Sequence, residues 1–233
     1  GIAGTVENPE NMPDTTLNAS SATIGGVFHI EDSYTRKSVY ARGAKLQTVT
    51  LDETTITGDY FVDKTEIGET LTITNSNVFG IVEGADLRIS SKCVISDLTA
   101  KAINFDDSLF KWNVTISESL VGEATLENAT FRNALRLQRV MAYKGCIYLN
   151  HARISDLSIT WARGSTVVNC EQARLGNLET TIPEDGQLWD HIRVNRTQFD
   201  EFDFADFTAS LSRTNHLIHQ DEERNRRERY RMF

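Results

Sequence analysis

An apolar residue recurs at about every fifth position through the middle of this 233-residue chain. Counting from Ile95 in steps of five, with a step of six at three places, meets an apolar residue every time until Leu178. The positions are Ile95, Ala100, Phe105, Phe110, Ile116, Val121, Leu126, Phe131, Leu137, Ala142, Ile147, Ala152, Leu157, Ala162, Val168, Ala173 and Leu178. Because only 39% of all residues are hydrophobic, such a run is improbable by chance, and a fixed period is the sequence signature of a repeat architecture.

A second position, two residues before each of these, is also small or apolar in most units, as at Cys93, Leu98 and Ala124, with Glu171 as the exception. One large and one small inward residue per five is what a narrow four-sided solenoid requires. Four steps give coils of 20 or 21 residues, which would stack at the strand spacing of about 4.8 Å. The period therefore predicts an all-β, parallel β-solenoid.

Proline is absent between Asp14 and Ile182. A long proline-free block of short β-type segments indicates that nearly every backbone N–H is needed for strand pairing. The alternative is an antiparallel β-sandwich with irregular strands, but sandwich strands come at a spacing of about 8–12 residues with Gly or Pro turns. The finer period favours the solenoid.

Three short stretches resemble units of the pentapeptide-repeat family. They are Ala124-Thr-Leu-Glu-Asn, Ala129-Thr-Phe-Arg-Asn and Ala205-Asp-Phe207, and the family motif is a small residue, a polar residue, Leu or Phe, and two variable positions. The resemblance covers about residues 45–207 and implies a right-handed quadrilateral β-helix. Some members of that family are acidic rods that occupy the DNA site of a topoisomerase, which supplies one alternative function for this chain.

Composition divides the chain into three segments. Residues 1–20, with two prolines, are expected to be an arm or linker, residues 21–210 the solenoid, and residues 211–233 a charged C-terminal α-helix. The last segment has six Arg against four acidic residues, so a chain with a net charge of −9 carries its negative charge in the solenoid. Such a charge division indicates that the helix has its own partner or its own neighbour.

No motif for catalysis or for a cofactor stands out, so we predict neither an enzyme nor a bound cofactor or metal. The sequence has no Gly-x-Ser-x-Gly elbow and no Gly-rich phosphate loop. Asp106 and Asp107 are expected at a solvated corner rather than in a glycosidase pair. His216 and His219 have a spacing that can share a metal, but no third ligand is defined.

The cysteines define no compartment. Cys93, Cys146 and Cys170 are odd in number and far apart, which argues against a disulfide scaffold. Cys93 falls at an inward position and is expected to be a packed thiol, whereas the exposure of the other two is left open. Localisation also stays open, with the cytoplasm slightly favoured.

These patterns predict a rigid, non-catalytic scaffold or protein-interaction module, part of a larger protein or assembly. A protein partner or self-association is expected, and the candidate partner-binding residues lie in the C-terminal helix. They are Arg224, Arg226, Arg227, Arg229 and Tyr230. The acidic balance disfavours direct nucleic-acid binding. A further alternative is a soluble domain attached to a membrane or enzymatic region, so membrane association is left open.

Besides the C-terminal Arg cluster, the segment Gln198–Phe207 is distinctive because it alternates acidic and aromatic residues. It is expected to form the last coil of the solenoid, with Phe inward and Asp outward, and its alternative role is an acidic recognition face.

Overall fold

The computed structural model describes residues 17–162, 166–181 and 188–200. These residues form a parallel β-solenoid of about eight turns, and every strand pairing between coils is parallel. The described part contains a single short helix, α1 (Leu188–His191). The predicted N-terminal arm lies almost wholly outside the described residues, and the predicted C-terminal helix over 211–233 lies entirely outside them.

The strands are short, and most coils are built from three or four of them. The first coils contain β1 (Leu17–Asn18), β2 (Thr23–Glu31), β3 (Tyr34–Thr35), β4 (Val39–Tyr40), β5 (Lys45–Asp52), β6 (Thr55–Ile56), β7 (Tyr60–Phe61), β8 (Glu66–Ile67), β9 (Leu71–Thr74), β10 (Asn77–Glu83), β11 (Arg88–Ile89) and β12 (Cys93–Ser96). The later coils contain β13 (Thr99–Asn104), β14 (Leu109–Phe110), β15 (Val114–Ser117), β16 (Leu120–Val121), β17 (Ala124–Thr125), β18 (Thr130–Gln138), β19 (Met141–Ala142), β20 (Cys146–Tyr148), β21 (Arg153–Thr160), β22 (Val167–Asn169), β23 (Arg174–Thr180), β24 (Ile192–Arg193) and β25 (Gln198–Phe199).

Four sides can be numbered from one regular coil, in which β6, β7, β8 and β9 follow one another. We call the sides stacked on these strands side 1, side 2, side 3 and side 4. Sides 1 and 2 belong to one sheet and sides 3 and 4 to the other.

Strand register sets the length of each coil. Val82 pairs with Ile103, an offset of 21, and Leu71 pairs with Cys93, an offset of 22. These two offsets are the rule in the regular part of the solenoid, so the coils are slightly longer than the five-residue period predicts.

Two later coils are longer still. Ala124 pairs with Ile147, an offset of 23, because the turn at Tyr143–Gly145 adds two residues. Val168 pairs with Ile192, an offset of 24, in the coil that contains α1.

The five-residue period identifies the interior correctly. Fifteen of the seventeen residues in the run are buried, and only Ala162 and Leu178 are partly exposed. The expected position of the second inward residue is wrong in the coil that follows the turn at Tyr143–Gly145, however. There it lies two residues after the run, at Leu149, Ile154 and Ile159, because two extra residues shift the phase of the repeat.

Aromatic rings fill the interior of the central coils. Phe110 stacks on Phe131 with ring centroids 4.9 Å apart, and Phe105 meets Phe110 edge-on at 5.8 Å. A Cβ atom on Gly84 would lie 2.6 Å from the ring of Phe105, so the absence of a side chain on one coil makes room for the ring on the next. This interlocking of stacked coils is close packing of the kind that protein interiors require.

Two corners in each coil are made by residues with positive φ, half a coil apart in sequence. One series contains Asp32, Glu53, Asn75, Asp97, Glu118 and Arg139, and the other contains Ser21, Lys64, Asp86, Asp107, Asn128, His151, Gln172 and Arg196. The left-handed conformation turns the chain sharply at one residue. A buried hydroxyl frequently follows: Thr65 Oγ1 donates to the Ala41 carbonyl at 2.6 Å, and Ser108 Oγ donates to the Gly84 carbonyl at 2.9 Å.

Candidate functional site

Basic side chains project from side 3 on four successive coils. Arg88 lies in β11, Lys111 directly follows β14, Arg132 lies in β18 and Arg153 lies in β21. Arg88 is in register with Leu109, Leu109 with Thr130, and Thr130 with Arg153. One cation per coil is therefore held on a rigid surface at the coil spacing of about 4.8 Å.

Two more cations and one aromatic residue complete this surface. Lys92 immediately precedes β12, and the half-buried Arg136 pairs with Thr115 on side 4. Trp112, next to Lys111 in the chain, is 57% exposed. We call Arg88, Lys92, Lys111, Trp112, Arg132, Arg136 and Arg153 the basic face.

The cations of the basic face form no ion pair with an acid of the described part of the chain. The polar contact that a cationic group makes there is with a neutral partner, from Lys111 Nζ to Ser90 Oγ at 3.4 Å. At three other places stacked charges are matched across coils. Arg42 Nε lies 2.7 Å from Asp63, Lys45 lies 3.7 Å from Glu66, and Arg139 pairs with Glu118.

Glu66 and Asp156 are two of the acids that flank the basic face without pairing with it. Glu66 is in register with Arg88 on the preceding coil, but its ion pair is with Lys45. Asp156 is exposed at the corner between sides 3 and 4, in register with Ala134. The row of cations is therefore bounded by acids rather than neutralised by them.

Like charges also stack directly on side 3. Lys111 and Arg132 occupy neighbouring coils at matching positions, and Arg153 is in register with Arg174, whose own partner is Asp200 at 3.0 Å. Like charges opposite each other destabilise a sheet. Lys111 and Arg132, which stack with no matching acid among the described residues, break this local rule, and such breaks are characteristic of functional surfaces.

Carboxylates line the corner between sides 2 and 3, beside the basic face. We call Glu83, Asp106 and Glu127 the acid ladder. Asn104 Nδ2 donates to Glu83 at 3.2 Å, the Glu127 backbone N–H donates to Asp106 at 2.7 Å, and an amide of Asn150 donates to Glu127 at 2.7 Å. Partial burial raises the pKa of both Glu83 and Asp106, with neighbouring carboxylates adding to the shift. The protein itself therefore provides a hydrogen-bond donor to each of the three carboxylates.

A second group of acids lies along the other positive-φ corner, half a coil away. A hydrogen bond with Asp32 raises the pKa of Glu53, while the Thr74 hydroxyl, 2.6 Å from Asp52, lowers the pKa of that carboxyl. The described acids thus concentrate at edges of the solenoid rather than over one continuous side.

Exposed apolar residues cluster away from the basic face. Phe79 is 68% exposed and Tyr143 56% exposed at the corner between sides 1 and 2. Leu120 and Met141, also exposed, are register partners on side 1. Nothing among the described residues covers this row.

The predicted acidic pair lies where expected: Asp107 is exposed at a corner with φ of 58°, and Asp106 beside it is half-buried. Cys93 is a buried thiol as expected, and so is Cys170, and burial raises the pKa of each to about 12. Cys146 is partly exposed.

The candidate residues Arg224, Arg226, Arg227, Arg229 and Tyr230 lie outside the described residues, as do His216, His219 and most of the acidic-aromatic segment. Within the described ranges, no three His, Cys, Asp or Glu side chains are placed to share a metal ion. In the same ranges, no helix has the length and apolar character needed to cross a membrane.

Sequence reasoning missed the basic face, although a signal for it exists. Lys111 and Arg132 are separated in the sequence by the same interval as Val82 and Ile103 in a regular coil, and so are Arg153 and Arg174. The lengthened coil between Arg132 and Arg153 displaces the second pair by two residues relative to the first. No protein-family model matches the chain, and no curated protein shows significant similarity to it.

Proposed function

We propose that this chain is a non-catalytic β-solenoid scaffold that binds another protein through the basic face. The observation that carries the proposal is the set of stacked cations on side 3, which make no ion pair within the described part of the chain. A parallel solenoid holds them in fixed positions, so little conformational entropy is lost when a partner binds. Trp112 adds the type of side chain that is enriched in protein interfaces.

We also infer that the fold is of the pentapeptide-repeat type. Support comes from the inward pairs of one small and one larger residue, such as Ser119 with Val121 and Ala129 with Phe131, both members of which are buried. The sequence units around Ala124 and Ala129 fit the same pattern.

The acidic DNA-mimicking alternative has less support. A mimic of the DNA backbone requires carboxylates over one continuous side, whereas the described acids follow edges of the solenoid with the basic face next to one of them. The C-terminal cluster Arg224–Arg231 remains a second proposed contact.

Charge reversal tests the proposed function. Lys111→Glu/Arg132→Glu inverts the centre of the basic face, and Lys101→Glu/Lys144→Glu makes the same charge change at exposed positions on side 1 and its corner. Immobilised wild-type chain and both variants are compared for the proteins that they retain from extract of the source cells, identified by mass spectrometry. We expect proteins that wild type and the side 1 variant retain and the basic-face variant loses. Identical retention by all three, with melting curves that show folded proteins, contradicts the proposal.

A further inference from the structure

Resting on this proposed function, we infer that the partner presents an α-helix with an acidic stripe, which lies along the solenoid axis across the basic face. The argument starts from spacing. Four coils carry Arg88, Lys111, Arg132 and Arg153 in turn, so the row extends over about 14 Å along the axis at the strand spacing of about 4.8 Å. Arg88 and Arg153 share one register position, and Lys111 and Arg132 lie two residues further along their strands, a sideways step of about 6.7 Å that the long Lys and Arg side chains can span.

An α-helix matches this row because its turns repeat at nearly the same distance. One turn rises about 5.4 Å, and residues at i, i+4, i+7 and i+11 lie on one stripe. Three turns therefore cover about 16 Å, which the flexible side chains of Lys and Arg can accommodate.

An extended acidic strand matches less well. Its same-side residues are about 6.7 Å apart, so four of them cover about 20 Å. Two outer carboxylates would then lie beyond the row of cations. One would lie beside Glu66 of β8, and the other beside Arg174, whose guanidinium is already paired with Asp200.

The flanking acids limit the width of the partner. Asp106 and Glu127 of the acid ladder lie at one corner of side 3 and Asp156 lies at the other, so negative charge must be confined to a narrow stripe between them. A helix with acids on one stripe meets this condition because its other faces can be uncharged. Trp112, on the side 4 edge of Lys111, offers an apolar contact to a Leu or Met next to that stripe.

Single-stranded nucleic acid fits these observations less well than a helix. Such strands bind along grooves where successive aromatic side chains stack on successive bases. On side 3 and its corner with side 4, Trp112 is the exposed aromatic residue that the described ranges supply.

Peptide binding to the full chain tests the inference. The first probe is an alanine-rich helical peptide of about 20 residues with Glu at i, i+4, i+7 and i+11 and one Leu beside them. The second has the same composition with the Glu residues spread around the helix, and the third is an oligothymidylate of about 10 nucleotides. Calorimetry and the change in tryptophan fluorescence report binding at low and high salt.

We expect the striped peptide to bind wild type at least about tenfold more tightly than the spread peptide, with affinity that falls as salt rises. Lys111→Glu/Arg132→Glu should lose this preference, and Lys101→Glu/Lys144→Glu should keep it. Equal affinity for the two peptides, or no binding of either, overturns the helix match. Tighter binding of the oligothymidylate replaces it with a nucleic-acid partner.

The two experiments separate the inference from the proposed function. If proteins are retained through the basic face while the striped peptide shows no preference, only the helix is wrong. If retention does not depend on Lys111 and Arg132, both fail.

Discussion

The acid ladder and the basic face lie side by side on the same coils, and they are built in opposite ways. Asp106 and Glu127 stack like charges, Glu83 lies near them, and all three accept hydrogen bonds from side-chain or backbone donors of the solenoid. The cations of side 3 stack like charges with little compensation from the chain. A solenoid makes residues one coil apart into neighbours. Stacked charges that accept hydrogen bonds from the chain are therefore structural, whereas stacked charges that lack such partners are available to bind another molecule.

A substitution in the core under side 3 should cost much more stability than a substitution among the charges above it. Phe131→Ala removes a ring that stacks on Phe110 and should cost about 3–5 kcal/mol of unfolding free energy. Arg132→Ala, the next residue, removes an exposed side chain and should change stability by no more than about 0.5 kcal/mol. Urea unfolding followed by circular dichroism measures both. Similar losses would mean that the inward register of β18 is wrong.

A smaller effect of opposite sign is expected on the basic face itself. Lys111→Glu places a carboxylate beside Arg132 and should raise the unfolding free energy by about 0.3–1 kcal/mol, because a repulsion becomes an attraction. Lys101→Glu is the control, since Gly122 is its neighbour on the following coil. The gain should shrink in high salt. Destabilisation by Lys111→Glu would show that the cations already have compensating contacts.

The acid ladder should make stability depend on pH. Burial raises the folded-state pKa of Asp106, so the folded chain binds this proton more tightly than the unfolded chain does. Its contribution to stability is therefore complete below the unfolded-state pKa and is lost as pH rises through the folded-state pKa. Asp106→Asn should melt higher than wild type at neutral pH, and the difference should disappear in acid. Thermal melts across the acid range check this, and a difference independent of pH contradicts it.

The smallest effect is expected one residue further on. Asp107 is exposed with φ of 58°, and Asn adopts the left-handed conformation as readily as Asp does. Asp107→Asn should therefore stay within about 0.5 kcal/mol of wild type in chemical denaturation. A larger loss would place Asp107 in the network of the acid ladder.

The sequence was sufficient to predict the solenoid because burial in a narrow coil demands an apolar residue at a short, fixed interval. It was insufficient after Tyr143. Two additional residues there place the second inward residue two positions after each residue of the five-residue run instead of two positions before it, as at Leu149. Ala152 and Leu157 are apolar and buried in either phase, so the five-residue count continued without a visible break.

The sequence-based prediction favoured Arg224–Arg231 as the binding site because these cations are close together in the sequence. The basic face has no contiguous signature, because its cations are separated by whole coils and become neighbours only through register. The exact coil length is needed to recognise it, and that length depends on turns such as Tyr143–Gly145.

The lengthened coil between Ala124 and Ile147 has a consequence for how the molecule comes apart. Each coil of a solenoid contacts only its neighbours, so the rod opens by separating at its weakest interface. At this interface β17 and β20 share two paired residues whereas β18 and β21 share seven, so local opening should begin on side 2 and reach sides 3 and 4 last. Because Arg88 and Arg153 lie on opposite sides of this interface, a rigid ligand that contacts both would oppose its opening. Amide hydrogens of β20 and β21 should then exchange more slowly when the ligand is bound, although neither strand need contact it along its length.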